Sequence, residues 1–225
     1  MLNVSQCQFL VSLFVVQTEH GASCYLIVNS ARKEVDGVQV SGIVNYTKKL
    51  KGVQIGVINI ADTCSGFMFG LINIVKHGIH ELTLSSNEML PMVLTYRTGS
   101  RKMYNILEAG YDPGRNERVF SYGVGIGTQW NFSSRLAMNT EALVNSLLVG
   151  HGRQLPQVLR LQMPLRLKLG KTISLSAGPA FSVTWQNQAA VPDGYKTLLP
   201  REGYHTYKIG NATAWLGFTA GINFF

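Results

Sequence analysis

Between Gly37 and Asn73 one phrase is written three times: GVQVSGIVN, GVQIGVIN and GFMFGLIN. Each copy runs Gly, apolar, Gln or Met, a second Gly, two aliphatics and Asn. Gly37, Gly52 and Gly66 open the copies, Gly42, Gly56 and Gly70 divide them, and Asn45, Asn59 and Asn73 close them, about every 14 residues. A fixed period decides architecture before local propensity does, because one such unit cannot bury its own faces alone. The spacing predicts one coil of a flattened β-solenoid per copy. Stacking would align Val38, Val53 and Phe67 in one column and Ile43, Val57 and Leu71 in another, each apolar face buried against its neighbours. The asparagines would form a ladder at one corner, where Asn tolerates a left-handed turn and bonds its own backbone. The alternative is that each copy is an ordinary antiparallel strand and turn. Gly21–Asn29 aligns with Gly37–Asn45, with Leu26 in place of the second glycine, and a weaker copy lies at Gln8–Val16. The array therefore begins near the N-terminus, and 1–78 forms the repeat segment.

After Ile74 the period changes. Eight segments alternate apolar and polar residues, the mark of half-buried strands: His80–Ser86, Pro91–Thr98, Met103–Tyr111, Val119–Phe132, Leu136–Leu147, Gln157–Leu169, Thr172–Trp185 and Ala212–Phe224. In Val119–Phe132 one face carries Phe120, Tyr122, Val124, Ile126 and Trp130, and the other is mostly Gly, Ser and Gln. In Gln157–Leu169 the leucines oppose Arg160, Gln162, Arg166 and Lys168. The longest of these strands are about twice the usual 5–6 residues. Their apolar faces, polar faces and terminal aromatics fit a membrane-crossing barrel better than a sandwich of two sheets. The expected fold is all-β: a glycine/asparagine array followed, over 79–225, by a small antiparallel barrel of the outer-membrane type. Tight turns at Ser133–Ser134 and Gly170–Lys171 contrast with long polar loops at Val149–Pro156 and Gln186–Gly210. The last of these, with Tyr195, Tyr204 and Tyr207, is the expected surface-contact loop.

Composition narrows the function classes. Charged residues are 14% and hydrophobic ones 46%, too apolar for disorder and low in charge for a cytosolic enzyme. The net charge of +8 is spread singly or beside turns, which argues for solvated turns and lumen charges rather than nucleic-acid binding. Cys7, Cys24 and Cys64 have no metal-ligand spacing, and an odd count argues against a disulfide framework. No stretch reaches the length of a spanning helix. Phe9–Val16 is apolar but lacks a preceding basic region, so no signal peptide is legible.

GVQIGVIN, GFMFGLINIVKHGIHELTLSSNE, YRTGSRKMYNIL and the ending WLGFTAGINFF resemble glycine-rich surface-repeat β-barrel proteins of the Gram-negative outer membrane, common in Bacteroides-type bacteria. The resemblance runs from about Val35 to Phe225. It implies an outer-membrane location, a small barrel bearing the repeats, and a signal peptide that this sequence does not show, as in a truncated start. It implies no activity, substrate or catalytic residue. The C-terminus departs from a regular barrel ending, because Leu216, Phe218, Ala220, Ile222 and Phe224 share a face and leave Phe225 out of phase.

No catalytic constellation emerges. His77, His80 and Glu81 lie where repeats give way to strands and read as turn residues rather than metal ligands. Gly123, Gly125 and Gly127 sit inside an alternating strand with no following helix, so they are not a nucleotide loop. A barrel-embedded hydrolase would have to draw on His151, Glu202 and His205 in the long loops. The expected function is non-enzymatic and cofactor-free, with lipid as partner and an unidentified surface ligand or protein at the long loops. A soluble exported β-repeat binding protein is the rival from another class. The lumen charges Arg160, Arg166 and Lys168 need counter-charges, and Glu141 is expected beside Arg160 or Arg166.

Overall fold

The computed structural model describes residues 14–113, 119–149, 153, 154, 157–185 and 204–225. The chain divides into two compact units: Met1–His80 with Thr98–Asn105, and Glu81–Arg97 with Ile106–Phe225. The first unit thus includes ten residues beyond the expected boundary at 78, Ile79 and His80 together with Thr98–Asn105.

The first unit is a parallel β-coil. Its strands are β1 (Phe14–Tyr25), β2 (Val28–Ser41), β3 (Val44–Leu50), β4 (Val53–Ile55), β5 (Ile58–Cys64), β6 (Phe67–Phe69) and β7 (Ile72–Val75). β2 pairs in parallel with both β3 and β4, β3 with β5, β4 with β6, and β5 with β7. Val38, Val53 and Phe67 fall in register, and so do Asn29, Asn45, Asn59 and Asn73. The decayed copy at Gly21–Asn29 is in step too, since Gly21 lies against Gly37 on β2. Most of the weaker copy at Gln8–Val16 lies outside the described residues.

Two expectations about the coil are corrected. The aligned apolar columns face outward: Phe67, Ile43, Val57 and Leu71 are exposed, and Val53 is only half-buried. In a three-residue strand such as Val53-Gln54-Ile55 only the middle side chain points in, so the interior receives Gln39, Gln54 and Met68. The asparagines, in turn, occupy no left-handed turn. Among the described residues only Gly99 and Gly210 have positive φ. Asn45, Asn59 and Asn73 are buried inside the strands, and each amide bonds the next. Asn45 Nδ2 donates to Asn59 Oδ1 at 2.8 Å and Asn59 Nδ2 to Asn73 Oδ1 at 2.8 Å. Asn73 Nδ2 passes the ladder to Asn105 Oδ1 at 2.7 Å. Beside this polar ladder Ala31, Val35, Leu50, Ala61, Met68 and Val75 form the apolar core. The glycines permit close stacking. A Cβ on Gly66 would strike the carbonyl of Gly52, and one on Gly52 that of Gly37.

The second unit is a closed barrel. Its strands are β8 (Ile79–Asn87), β9 (Met92–Gly99), β10 (Tyr104–Asp112), β11 (Val119–Asn131), β12 (Leu136–Val149), β13 (Arg153–Gln154), β14 (Val158–Gln162), β15 (Leu165–Lys168), β16 (Ile173–Trp185), β17 (Thr206–Ile209) and β18 (Ala212–Phe224). β14 and β15 are one strand interrupted at Met163-Pro164, because proline has no N–H to donate. The ladder survives the break: Asn139 N bonds Pro164 O and Met163 N bonds Pro179 O, both at 3.0 Å. Counting that pair once, eight antiparallel strands among the described residues run β8 to β12, then β14/β15, β16 and β18. The sheet closes where Thr219–Phe224 of β18 pair with Asn87–Leu82 of β8. The C-terminal part of the long last loop is itself a strand, β17, which folds back on β18 through Gly210.

Outward positions are apolar from strand to strand: Leu82 and Leu84, Met92 and Leu94, Val124 and Ile126, Leu161 and Leu165, Phe218 and Ile222. Inward positions carry most of the buried polar and charged side chains, with one apolar cluster of Val93, Val119, Leu147, Val158 and Trp215 among them. This is an outer-membrane-like barrel, with the polarity of a soluble core reversed.

The barrel interior as the candidate functional site

Strand parity sets what fills the barrel. On β8 the inward residues are Glu81 and Thr83, on β9 Thr95 and Arg97, on β12 Asn139, Glu141 and Asn145, and on β14 and β15 Arg160, Gln162 and Arg166; all are buried. A buried ion costs several kcal/mol unless paired and hydrogen-bonded, so each of these must find a partner across the lumen.

They do so in two clusters. Arg97 grips Glu141 bidentately, Nε to Oε1 at 2.7 Å and Nη2 to Oε2 at 3.0 Å, and its Nη1 reaches Glu81 Oε1 at 3.3 Å and Thr83 Oγ1 at 2.5 Å. Arg166 closes on Glu81 from the other side, with Nη1 and Nη2 each 2.6 Å from a carboxylate oxygen. Glu81 therefore lies between two guanidiniums, the planar forks that match carboxylates best. In the second cluster Arg160 Nη1 pairs with Glu88, while its Nη2 donates to Phe218 O at 3.1 Å. Glu88 also accepts from Trp215 Nε1 at 3.2 Å, Ser182 Oγ at 3.3 Å and Phe218 N at 3.2 Å. Gln162 joins the clusters, accepting from Arg160 Nε at 3.1 Å and donating to Glu141 Oε2 at 2.7 Å. Glu108 receives hydrogen bonds from Asn145 at 2.8 Å and Thr95 at 3.3 Å.

Glu88 reaches the interior from a turn. Asn87 Oδ1 accepts from Met89 N at 2.9 Å and Leu90 N at 2.8 Å, which folds the chain back on itself. Glu88, Met89 and Leu90 are thereby buried, and Met89 and Leu90 join Val93, Val119, Leu147, Val158 and Trp215 in an apolar cluster.

The structure separates the site residues expected from sequence. Arg160, Arg166 and Glu141 are interior and buried, but Arg97 takes Glu141, and the two lumen arginines go to Glu88 and Glu81. Glu141 faces the interior, and Gln162, opposite it in the ladder, bridges it to Arg160. Lys168 is only half-buried, near the end of β15. Tyr207 is exposed on β17, Tyr204 is half-buried just before it, and Tyr195 lies outside the described residues. His151 and Glu202 also lie outside them, while His205 is exposed. His80 Nε2 is 2.7 Å from Val75 O, and Glu81, its neighbour, points into the barrel. No group of three metal-ligating side chains converges among the described residues. Sequence reading missed Glu88, Arg97 and the inward role of Glu81. Parity on β8 and β9 places the last two; nothing in Asn87–Leu90 marks a turn that folds inward. Phe225, out of phase in the sequence, lies over the Arg166 guanidinium at 5.6 Å and donates its N–H to Thr172 O at 3.0 Å.

Chemically, the network neutralises charge and ties six strands together: β8, β9, β12, β14/β15, β16 and β18.

Among solved structures the chain is similar to small outer-membrane barrels. Neisserial surface protein A (NspA) is 10% identical over 64% of this chain and 92% of its own, with a TM-score of 0.37. The attachment invasion locus protein Ail of Yersinia pestis is 10% identical over 64% and 93%, with a TM-score of 0.30. The de novo designed TMB2.3 is 13% identical over 67% and 97%, with a TM-score of 0.33. Likenesses this distant say nothing of function. No protein-family model matches the chain, and no curated protein matches it by sequence.

Proposed function

We propose that this chain is a non-enzymatic outer-membrane β-barrel surface protein of the Bacteroides-type glycine-repeat class, with a structural or surface-contact role. The observation that carries the reading is the barrel's inverted polarity. An apolar exterior surrounds an interior in which paired Arg and Glu side chains are buried. An eight-stranded barrel is just wide enough for side chains to fill it, so this interior is a plug and not a pore. Surface contact falls to the rim, where Tyr207 and Ile209 on β17 are among the most exposed large side chains.

Fractionation of the full-length gene product tests this. An outer-membrane protein stays with the membrane in salt and carbonate, is released by detergent, and changes gel mobility on heating. Release by salt alone would instead favour a soluble exported repeat protein.

A further inference from the structure

At its glycine corner the repeat coil has the same inverted polarity as the barrel, beside the apolar core of Ala31, Val35, Leu50, Ala61, Met68 and Val75, and the barrel does not explain it. Gln39, Gln54, Asn29, Asn45, Asn59 and Asn73 are buried inside. Aliphatic and aromatic side chains cover the outside on three sides. One face carries Val38, Ile55, Phe67 and Phe69, the opposite face Ile72 and Ile74, and the corner between them Ile43, Val57 and Leu71, all exposed. Soluble proteins rarely leave a contiguous apolar surface of this kind uncovered. A folded partner or a second copy would cover one face. Only a surrounding medium covers two opposite faces and the edge between them.

The other corner is charged. Arg32 and Lys33 with Glu34 and Asp36, then Lys48, Lys49 and Lys51, then Asp62, then Lys76 fall there coil after coil, six cations against three carboxylates. The backbone agrees with this segregation. At the apolar corner, carbonyls that water would otherwise solvate are taken by the ladder: Asn45 Nδ2 donates to Ile55 O at 2.8 Å, Asn59 Nδ2 to Phe69 O at 3.0 Å, and Asn105 Nδ2 to Gly70 O at 2.6 Å. Corner N–H groups pair with the preceding coil, as Ile58 N does with Ile43 O and Ile72 N with Val57 O. Internal satisfaction of every backbone group is what hydrocarbon demands and water does not.

We infer that the repeat coil is itself a lipid-embedded element, its glycine corner dipping into one leaflet of an anionic bilayer and its basic corner resting at the headgroups. The dimensions fit. The stretch from Ile43 to Tyr46, apolar on its outward side, rises roughly 10 Å at ~3.3 Å per residue, within half of a hydrocarbon core about 30 Å thick. Basic side chains at that level meet lipid phosphates, while their stems lie along the apolar surface. The inference rests on the membrane reading of the barrel, and its test keeps the two apart.

A full-length chain with its native cysteines replaced is folded into phosphatidylcholine–phosphatidylglycerol vesicles, with and without brominated acyl chains. It carries one bimane label at Val57→Cys, Phe69→Cys, Ile74→Cys or Lys48→Cys, with Val124→Cys on the barrel wall as control. The inference expects the labels at 57, 69 and 74 to emit further to the blue and lose intensity to lipid bromine. The label at 48 should respond to aqueous iodide alone. Labels at 57, 69 and 74 that respond to iodide, with the control quenched by bromine, would place the coil in water and overturn the inference. Labels shielded from both quenchers, with cross-linking between Phe69→Cys chains, would replace lipid by a second copy and also overturn it. A control that escapes bromine would remove the membrane reading and the inference with it.

Discussion

Arg160→Met separates a filled, paired interior from a merely polar one. The Arg160 guanidinium is fully buried, pairs with Glu88 and bonds Gln162 and Phe218 O. Methionine keeps the stem's volume and removes the charge, which leaves Glu88 ionised and buried, still holding Trp215 and Ser182 but without its counter-ion. Breaking one side of such a pair costs about 3–5 kcal/mol, whereas replacing both sides with neutral groups of similar volume is often neutral or stabilising. The double variant Glu88→Gln/Arg160→Met should therefore recover most of the loss. The glutamine carbonyl can still accept from Trp215 Nε1, and no charge is left unpaired. The assay is urea unfolding in lipid vesicles, followed by tryptophan emission, with Trp215 reporting directly because it sits on Glu88. Coupling of more than about 2 kcal/mol between the two changes is expected, against a few tenths for independent sites. A loss under about 1 kcal/mol for Arg160→Met, or strict additivity in the double variant, would mean that water solvates these groups and that the interior is not closed.

The repeat coil yields three further expectations. Asn59→Ala removes a side chain that bonds Asn45, Asn73 and Phe69 O, and buried groups left without partners cost about 1–3 kcal/mol each. Thermal unfolding of the variant should show the loss, while Thr63→Ala on the exposed corner should not. Gly66→Ala drives a Cβ into the Gly52 carbonyl and should destabilise the coil. Gly170→Ala, at a tight turn with open space around the added methyl, should be neutral or slightly stabilising by reducing unfolded-state freedom. Lys51 and Lys49 hold the Glu34 carboxyl below its usual 4.5. A carboxylate with a depressed folded pKa contributes stability above its unfolded pKa and loses it as pH falls through the folded one. Wild type and Glu34→Gln should thus differ slightly at neutral pH, converge in acid below 4.5, and converge also in high salt, because the pair is exposed.

What the sequence made legible follows from periodicity. Period two places Val124, Leu161 and Phe218 on one side of their strands and Arg160 and Arg166 on the other, and each strand end falls within about two residues of its expected place because turn residues mark it. The repeat period likewise sets the register of Asn45, Asn59 and Asn73. The side that faces out was not legible in the coil. A three-residue strand has two outward positions and one inward, and in Val53-Gln54-Ile55 the expectation that aliphatics are buried chooses wrongly. Which lumen groups pair directly was not legible for another reason. Parity says that Glu141 and Arg160 share the interior, but which guanidinium reaches which carboxylate depends on strand order around the barrel, and Arg97 is supplied by a strand not adjacent to β12. Glu88 was illegible because its burial depends on one Asn87 side chain turning the loop inward.

A barrel that crosses a bilayer exposes its two rims on opposite sides of it. Lys171 lies in the turn before β16, and Asn211 lies in the turn before β18; the pairing of Ile173 with Phe224 and of Trp185 with Ala212 puts these turns at opposite ends of the wall. Single-cysteine variants Lys171→Cys and Asn211→Cys, folded into preformed sealed vesicles, are exposed to a membrane-impermeant maleimide before and after lysis. A spanning barrel labels at one of the two positions while the vesicles are intact and at the other only once they are opened. Equal labelling of both positions in intact vesicles would mean that the wall does not cross the bilayer.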